Sequence, residues 1–507
     1  MKTLRNSTSR CGGTLMAGWM LAVASLVAAS TANAAQNQKI KLVPVGTPFH
    51  VQRSLTMGRG ASLAFDLAAY EKTKPLSRCV LTNFTLESGR AVDLDLQQFT
   101  VFDRQTQFVA GTPEGDKPLA APDVVLFRGK VIGVEDSRAV LAVSPHGSVA
   151  KIYIGKETFL LQSTWQGREA ASGATATIEE LNSRLVHGPR RKHGATPIIV
   201  GDQEAGTSPD TKGPSGPSGV DPANFRVADI AMDGDYGFYQ LMGSDTGSAT
   251  TLIVSLLAQA SDIYERDLGL KLWLVYLRVW TTPDPLGDTL DEFKDWWNNN
   301  MGSVARNNAT KITNYLVPTD ASGIGIQACN LSLLCTPSYA YVITETDGIL
   351  DALDEVATFA QELGHNCGSP HTHCYNPPVD HCYNEEASTS CQTCYSGPVQ
   401  QTVGTIMSYC DTINLAFGPA EQAFIQPKIL ANGCLTVARD PTYVNFAYSG
   451  SENGTASNPW STLTKGVRGV IPGGTILIGP GNSQETLTIR ERATLRVNGV
   501  GTVNVGR

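Results

Sequence analysis

Ala360-Gln361-Glu362-Leu363-Gly364-His365-Asn366-Cys367-Gly368-Ser369-Pro370-His371 is the stretch on which the reading of this chain turns. Leu350, Leu353, Ala357, Ala360 and Gly364 recur at helical spacing on one side, which predicts a helix from Leu350 to about Asn366. Residues four apart on a helix share a face, so positions 361 and 365 project together. Two imidazoles at such positions grip one metal ion, and a glutamate after the first reaches the attacking water as general base. Gly368 lets the chain turn sharply. A ligand three residues later would complete a tripod and leave the fourth tetrahedral position open, and His371 stands there. Glu362, His365, Gly368 and His371 all stand at these spacings, but position 361 holds glutamine.

The surrounding chain reads as α/β. Phe225 to Ala231 is a predicted strand, Ala249 to Leu268 a helix, and Leu270 to Trp280 a strand rich in β-branched and aromatic residues. Thr289 to Asn299 is a helix whose acidic first turn, Asp291 and Glu292, suits the helix dipole. Tyr339 to Thr344 is a further strand. Beyond the histidines, Gly404-Thr405-Ile406-Met407-Ser408-Tyr409 forms a second compact motif, with 36 residues from His371 to Met407.

Together these motifs resemble the metzincin zinc metalloproteases, specifically the adamalysin/reprolysin-like family. Gly364-His365-Asn366-x-Gly368-Ser369-Pro370-His371 is close to that family's signature. The resemblance spans about Phe225 to Cys434. It implies a zinc endopeptidase with a twisted sheet, an active-site helix and a lower subdomain. It makes Glu362 the catalytic base, and His365 and His371 zinc ligands. The 404–409 segment resembles the Met-turn, which places Met407 beneath the metal. The upstream region, especially Phe127-Arg128-Gly129 through Ser144, is similar to the propeptide of such enzymes.

Two positions depart from the pattern, and three further residues are read beside them. Gln361 occupies the first zinc-ligand position, where a neutral amide oxygen is a weak or lost ligand, because zinc prefers imidazole, thiolate and carboxylate. Cys367 stands where the family has a bulky apolar residue, and is read as a small hydrophobe rather than a thiolate. His373 and His381 follow the motif and are read as surface or supporting histidines. Cys79 lacks the neighbours of a zinc-capping switch and is read as structural.

At 507 residues the chain exceeds what one core accommodates. The N-terminus carries Lys2, Arg5 and Arg10, an apolar stretch, and then Ala32-Asn33-Ala34, which together read as a cleaved signal peptide over residues 1–34 and a secreted protein. Nine of the 11 cysteines lie between Cys329 and Cys434, a density that reads as disulfides in an exported chain. Residues 35–200 are β-rich, with apolar runs Val124–Phe127, Ala139–Val143 and Phe159–Leu161. Residues 201–224 are a Gly/Pro/Ser-rich linker, following the basic run Pro189-Arg190-Arg191-Lys192. The metalloprotease-like domain runs over 225–438. Residues 439–507 are again β-rich, with strands predicted at Thr475–Ile478, Leu487–Ile489 and Leu495–Val497. Asn453-Gly454, Asn458-Pro459-Trp460 and Pro472-Gly473-Gly474 resemble the entry to a parallel β-helix, which implies contact with carbohydrate or a cell surface.

The formal net charge of −8 argues against nucleic acid as a partner, and no later segment is long and apolar enough to span a membrane. The expected partner is a protein or peptide substrate, and the expected cofactor one zinc ion. Three readings stay open: an active secreted endopeptidase that tolerates Gln361, an inactive relative that binds peptides without cutting them, and an adhesive exported protein.

Overall fold

The computed structural model describes residues 43–54, 60–87, 89–163, 175–180, 220–314, 323–328, 331–346, 352–389, 392–400, 403–410 and 412–506. The expected export signal, the basic run, residues 201–219 of the expected linker, and Cys11, Cys329 and Cys391 lie outside them. No helix among the described residues is long and apolar enough to cross a membrane.

The N-terminal region is a ten-stranded, mostly antiparallel sheet. Its central strands, Val125–Val131, Ser137–Val143, Val149–Ile154 and Glu157–Ser163, carry continuous apolar runs because both faces are covered. Leu141, Phe127, Phe159 and Leu161 face a core belonging to this sheet alone. Alternate residues, Val140, Ala142, Leu126 and Leu160, turn the other way into the main core of the molecule.

The metalloprotease-like region is built on a second sheet. We number its strands β1 (Gln107–Gly111), β2 (Arg226–Gly234), β3 (Leu270–Trp280), β4 (Asn308–Thr313), β5 (Gly323–Gly325) and β6 (Tyr341–Glu345). The spatial order is β5-β6-β4-β2-β3-β1, with Lys117–Pro118 beyond β1. All pairs from β6 to β1 are parallel; β5 runs antiparallel to β6 at the edge. Strand β1 comes from the N-terminal region, an exchange that the sequence does not announce.

Helix α1 (Thr246–Leu268) crosses behind the sheet and is buried on nearly all sides. It starts at Asp245, whose carboxylate accepts from the Gly247 and Ser248 N–H groups, and stops at Gly269 in the left-handed conformation. Helix α2 (Leu290–Asn300) opens with a capping box between Thr289 and Glu292, in keeping with the acidic first turn read from the sequence. Helix α3 (Ala352–Asn366) packs on β6 and α1 and carries the Gln361–His365 stretch. Helix α4 (Pro419–Ala431) follows the Met407 segment.

The C-terminal region stacks three parallel strands, Thr442–Val444, Thr475–Ile478 and Thr494–Val497, over a small core that includes Val444, Leu463 and Ile476. The strand expected at Leu487–Ile489 does not form. Its neighbours bond to the N-terminal region instead: Thr486 accepts from Arg104, and the Arg490 carbonyl from Gln97. A segment whose flanking groups are engaged by another region has no ladder to join.

Candidate metal centre

Helix α3 ends in a turn that follows from its sequence. The Gly368 N–H bonds to the His365 carbonyl at 2.8 Å and the Ser369 N–H to the Gly364 carbonyl at 3.1 Å, the paired closure of a helix with a left-handed residue after it. Gly368 has φ +92°, and a Cβ there would lie 2.6 Å from the Leu331 carbonyl oxygen. Lys428 of α4 caps the same turn by donating to the Gly368 carbonyl at 2.6 Å.

The turn folds His371 back onto the helix. His365 Nε2 and His371 Nε2 face one another at 3.1 Å, with the rings perpendicular. Two imidazole nitrogens bound to one zinc at about 2.0–2.1 Å each, in tetrahedral geometry, stand a little over ~3 Å apart. The other nitrogen of each ring is held. His365 Nδ1 meets the Ser369 carbonyl at 2.8 Å, and His371 Nδ1 meets Glu386 Oε2 at 2.7 Å. A carbonyl or carboxylate on Nδ1 fixes the tautomer that leaves Nε2 as a ligand. Gln361 is fully buried, and neither its Oε1 nor its Nε2 has a hydrogen-bond partner among the described residues. A buried amide without a partner costs about 1–3 kcal/mol. An amide oxygen one helical turn before His365 therefore fits a cation site formed with the two imidazoles.

Glu362 is buried against β5. A Cβ on Gly323 would meet its Cγ at 2.6 Å, and one on Gly325 would meet its backbone oxygen at 2.4 Å. Only an edge strand with glycine at both positions lies this close to the helix. Burial pushes the Glu362 carboxyl up to about 7, against the opposing pull of His365 and the Gly325 backbone. Burial and the neighbouring His371 bring His365 down to about 4, so its imidazole is neutral.

Met407 lies under the helix. It is fully buried, and a Cβ on Gly364 would stand 2.5 Å from its sulfur. Its carbonyl accepts from the Thr372 N–H at 3.0 Å, tying the methionine segment to the chain just past His371. Glu421 of α4 clamps the same segment, accepting from the Thr405 hydroxyl at 2.6 Å and the Met407 N–H at 3.3 Å. Burial pushes the Glu421 carboxyl up to about 7.

The structure thus brings together Glu362, His365, His371, Gln361 and Met407. His373 is buried rather than superficial: its ring stacks parallel to that of His371 at 5.5 Å, and its Nε2 meets Glu386 Oε2 at 2.9 Å. His381 stacks on Tyr395 in the cysteine-rich loop. Cys367 packs in the main core, where burial raises its thiol pKa, and Cys79 sits in the core of the N-terminal sheet, where burial pushes it to about 12. Neither is disulfide-bonded.

Several site residues escape sequence reasoning. Glu386 holds both His371 and His373; burial opposes its charge, but the two imidazoles outweigh this and keep its carboxyl far below the ordinary range. Disulfides Cys374–Cys394 and Cys382–Cys410 staple its loop to the segments beside His371 and Met407. Tyr409 covers His371, with ring centroids 4.2 Å apart. Asn366 donates to the Ile326 carbonyl at 2.9 Å and accepts from Asn308 at 2.8 Å, pinning the end of α3 to the sheet. The cysteine density was the one available signal, because it predicted a cross-linked loop without saying what the loop carries.

Residues 224–419 match the Reprolysin_5 profile, which describes metallo-peptidase family M12. They form a metzincin-like metallopeptidase domain. Among solved structures, the chain is similar to the crystal structure of metalloproteinase-II from Bacteroides fragilis at 10% sequence identity, with a TM-score of 0.43, over 76% of this chain and 98% of that one.

Proposed function

We propose that the chain is a secreted, zinc-dependent metalloendopeptidase that hydrolyses peptide bonds of proteins. His365 and His371 hold the metal, Gln361 is a weak third ligand through Oε1, and Glu362 is the general base. The observation that carries this reading is the 3.1 Å approach of the two Nε2 atoms beside a buried glutamine amide with no other partner among the described residues.

A zinc ion in this place supplies Lewis acidity that polarises the scissile carbonyl and lowers the pKa of water. The protein's residues do the rest. Glu362 takes a proton from the attacking water and delivers it to the departing amine. Burial keeps its carboxyl in the range where both transfers are feasible near neutral pH. Glu386 and the Ser369 carbonyl orient the two imidazoles, and Tyr409 screens His371 from water.

The second reading is a peptide-binding domain that does not cut, and Gln361 is the observation that favours it. One experiment separates the two. Zinc content and cleavage of an unfolded protein substrate are measured for the natural chain and for Gln361→His and Glu362→Gln variants. Cleavage by the natural chain, abolished in Glu362→Gln, supports the endopeptidase. Cleavage only by Gln361→His identifies a silent enzyme. Absence of zinc and of cleavage in all three sinks both the metal assignment and the activity.

A further inference from the structure

We infer that residues 43–180 are a permanent, non-covalently held part of the peptidase rather than a propeptide that leaves once the chain is cut. This inference does not depend on the metal or on activity.

Three kinds of contact join the N-terminal region to the rest. The first is a shared sheet. Strand β1 lies parallel to β3 in the register Gln107 to Tyr276 through Gly111 to Trp280. Flanking bonds extend the seam: the Leu274 N–H bonds to the Val101 carbonyl at 2.7 Å, and the Thr281 N–H to the Gly111 carbonyl at 3.1 Å. Removing β1 would bare the edge of β3, a strand whose side chains are almost all buried. The second is a shared core. Phe108, Leu126 and Val140 belong to the same apolar cluster as Leu252, Leu256 and Leu277. Without the N-terminal region, α1 would show water a wide apolar face.

The third is a set of ion pairs. Asp116 accepts from the Tyr276 hydroxyl at 2.5 Å and faces the buried Arg278 guanidinium at 3.5 Å. Arg138 reaches the buried Asp262 at 2.9 Å. Glu491, from the C-terminal region, lies between the other two: it accepts from Arg128 at 3.1 Å and the Thr100 N–H at 3.3 Å on one side, and from Lys271 at 3.0 Å on the other. Lys271, Glu491 and Asp262 are all nearly inaccessible to water, so pulling the regions apart would strand buried charges. The C-terminal region acts as a clasp across the seam.

The attachment lies away from the candidate metal centre. Strand β1 extends the sheet beyond β3, whereas Glu362 packs on β5 at the opposite edge. No disulfide can hold the N-terminal region, since Cys79 is its lone cysteine and is not bridged. Cutting anywhere in 181–219 therefore leaves two chains in one folded body.

The test uses the full chain with a site-specific protease sequence inserted within residues 201–219. After complete cleavage, the sample is run on size exclusion at micromolar concentration and again after 100-fold dilution. Both fragments should elute together at the mass of the intact protein and separate only in denaturant. Separate elution of the two fragments in native buffer overturns the inference. Glu491→Gln in the same nicked protein should raise the dissociation constant of the fragments roughly tenfold or more. An unchanged constant would show that the C-terminal region is no clasp.

Discussion

Imidazole binds zinc through a basic ring nitrogen with a fixed direction, whereas an amide oxygen is nearly neutral and sits on a flexible stem. In the proposed zinc site, position 361 therefore holds the weakest of the three donors. Replacing Gln361 by His should tighten zinc binding by at least about 10–100-fold, because even losing a group that merely supports a ligand has that effect. Competition with a chromophoric chelator reads it directly. Glu386 is such a supporting group, holding His371 Nδ1 at 2.7 Å. Glu386→Ala should weaken zinc binding about 10–100-fold with unchanged far-UV circular dichroism, and Glu386→Asp should restore part of the loss. Equal affinity in the natural chain and Glu386→Ala would mean that His371 needs no such support. That Glu362, His365 and His371 come together was legible from their spacing, since a helix and a turn suffice to place them. Glu386 was not, since its approach depends on how a disulfide-bound loop folds back.

Helix α3 and its turn are determined by two glycines that answer to different constraints. Gly368 adopts φ +92°, and its turn faces the Leu331 carbonyl. Gly368→Ala meets both backbone strain and that contact, and should destabilise the protein by about 1–3 kcal/mol in denaturant unfolding. A cost near zero would mean that the turn tolerates another path. Gly364 is an ordinary helical residue whose place is kept small by Met407. Gly364→Ala should displace that methionine and lower zinc affinity more than it lowers stability, a difference that paired chelator and urea titrations would resolve. A turn glycine can be read from sequence because its requirement is local. A packing glycine is legible only by pairing it with a residue 43 positions away, and that pairing exists only in the fold. The absent strand at Leu487–Ile489 carries the same lesson, because its alternation was strand-like and the residues on either side of it, Thr486 and Arg490, bond to another region.

At the scale of the molecule, three regions close on a buried charge cluster. Burial opposes ionisation of Glu491, but Lys271 and Arg128 outweigh it and hold the carboxyl below its ordinary value of 4.5. A carboxyl whose pKa is lowered by folding adds stability above the unfolded value and loses it as pH falls through the folded one. The clasp is therefore at full strength above about pH 4.5 and fails in more acidic solution. The urea midpoint of the natural chain should fall as pH drops below that value. The fall should be shallower in Glu491→Gln, which has no carboxyl to titrate. Parallel pH dependences in the two proteins would remove Glu491 from the account.

The sequence by itself determined the spacing of Glu362, His365 and His371, the glycine turn between the two histidines, the acidic first turn of α2 and the α/β order of the central region, because these depend on residues within a few turns of one another. Apolar runs such as Ala139–Val143 also marked the N-terminal region as β-rich, and in the fold these strands are covered on both faces. Only the tertiary structure decided what covers the second face, which strand completes the peptidase sheet, and which distant carboxylates hold His371 and the Arg128–Lys271 pair. Such pairings depend on surfaces meeting across hundreds of residues, and no local pattern in a single chain encodes which surface will arrive.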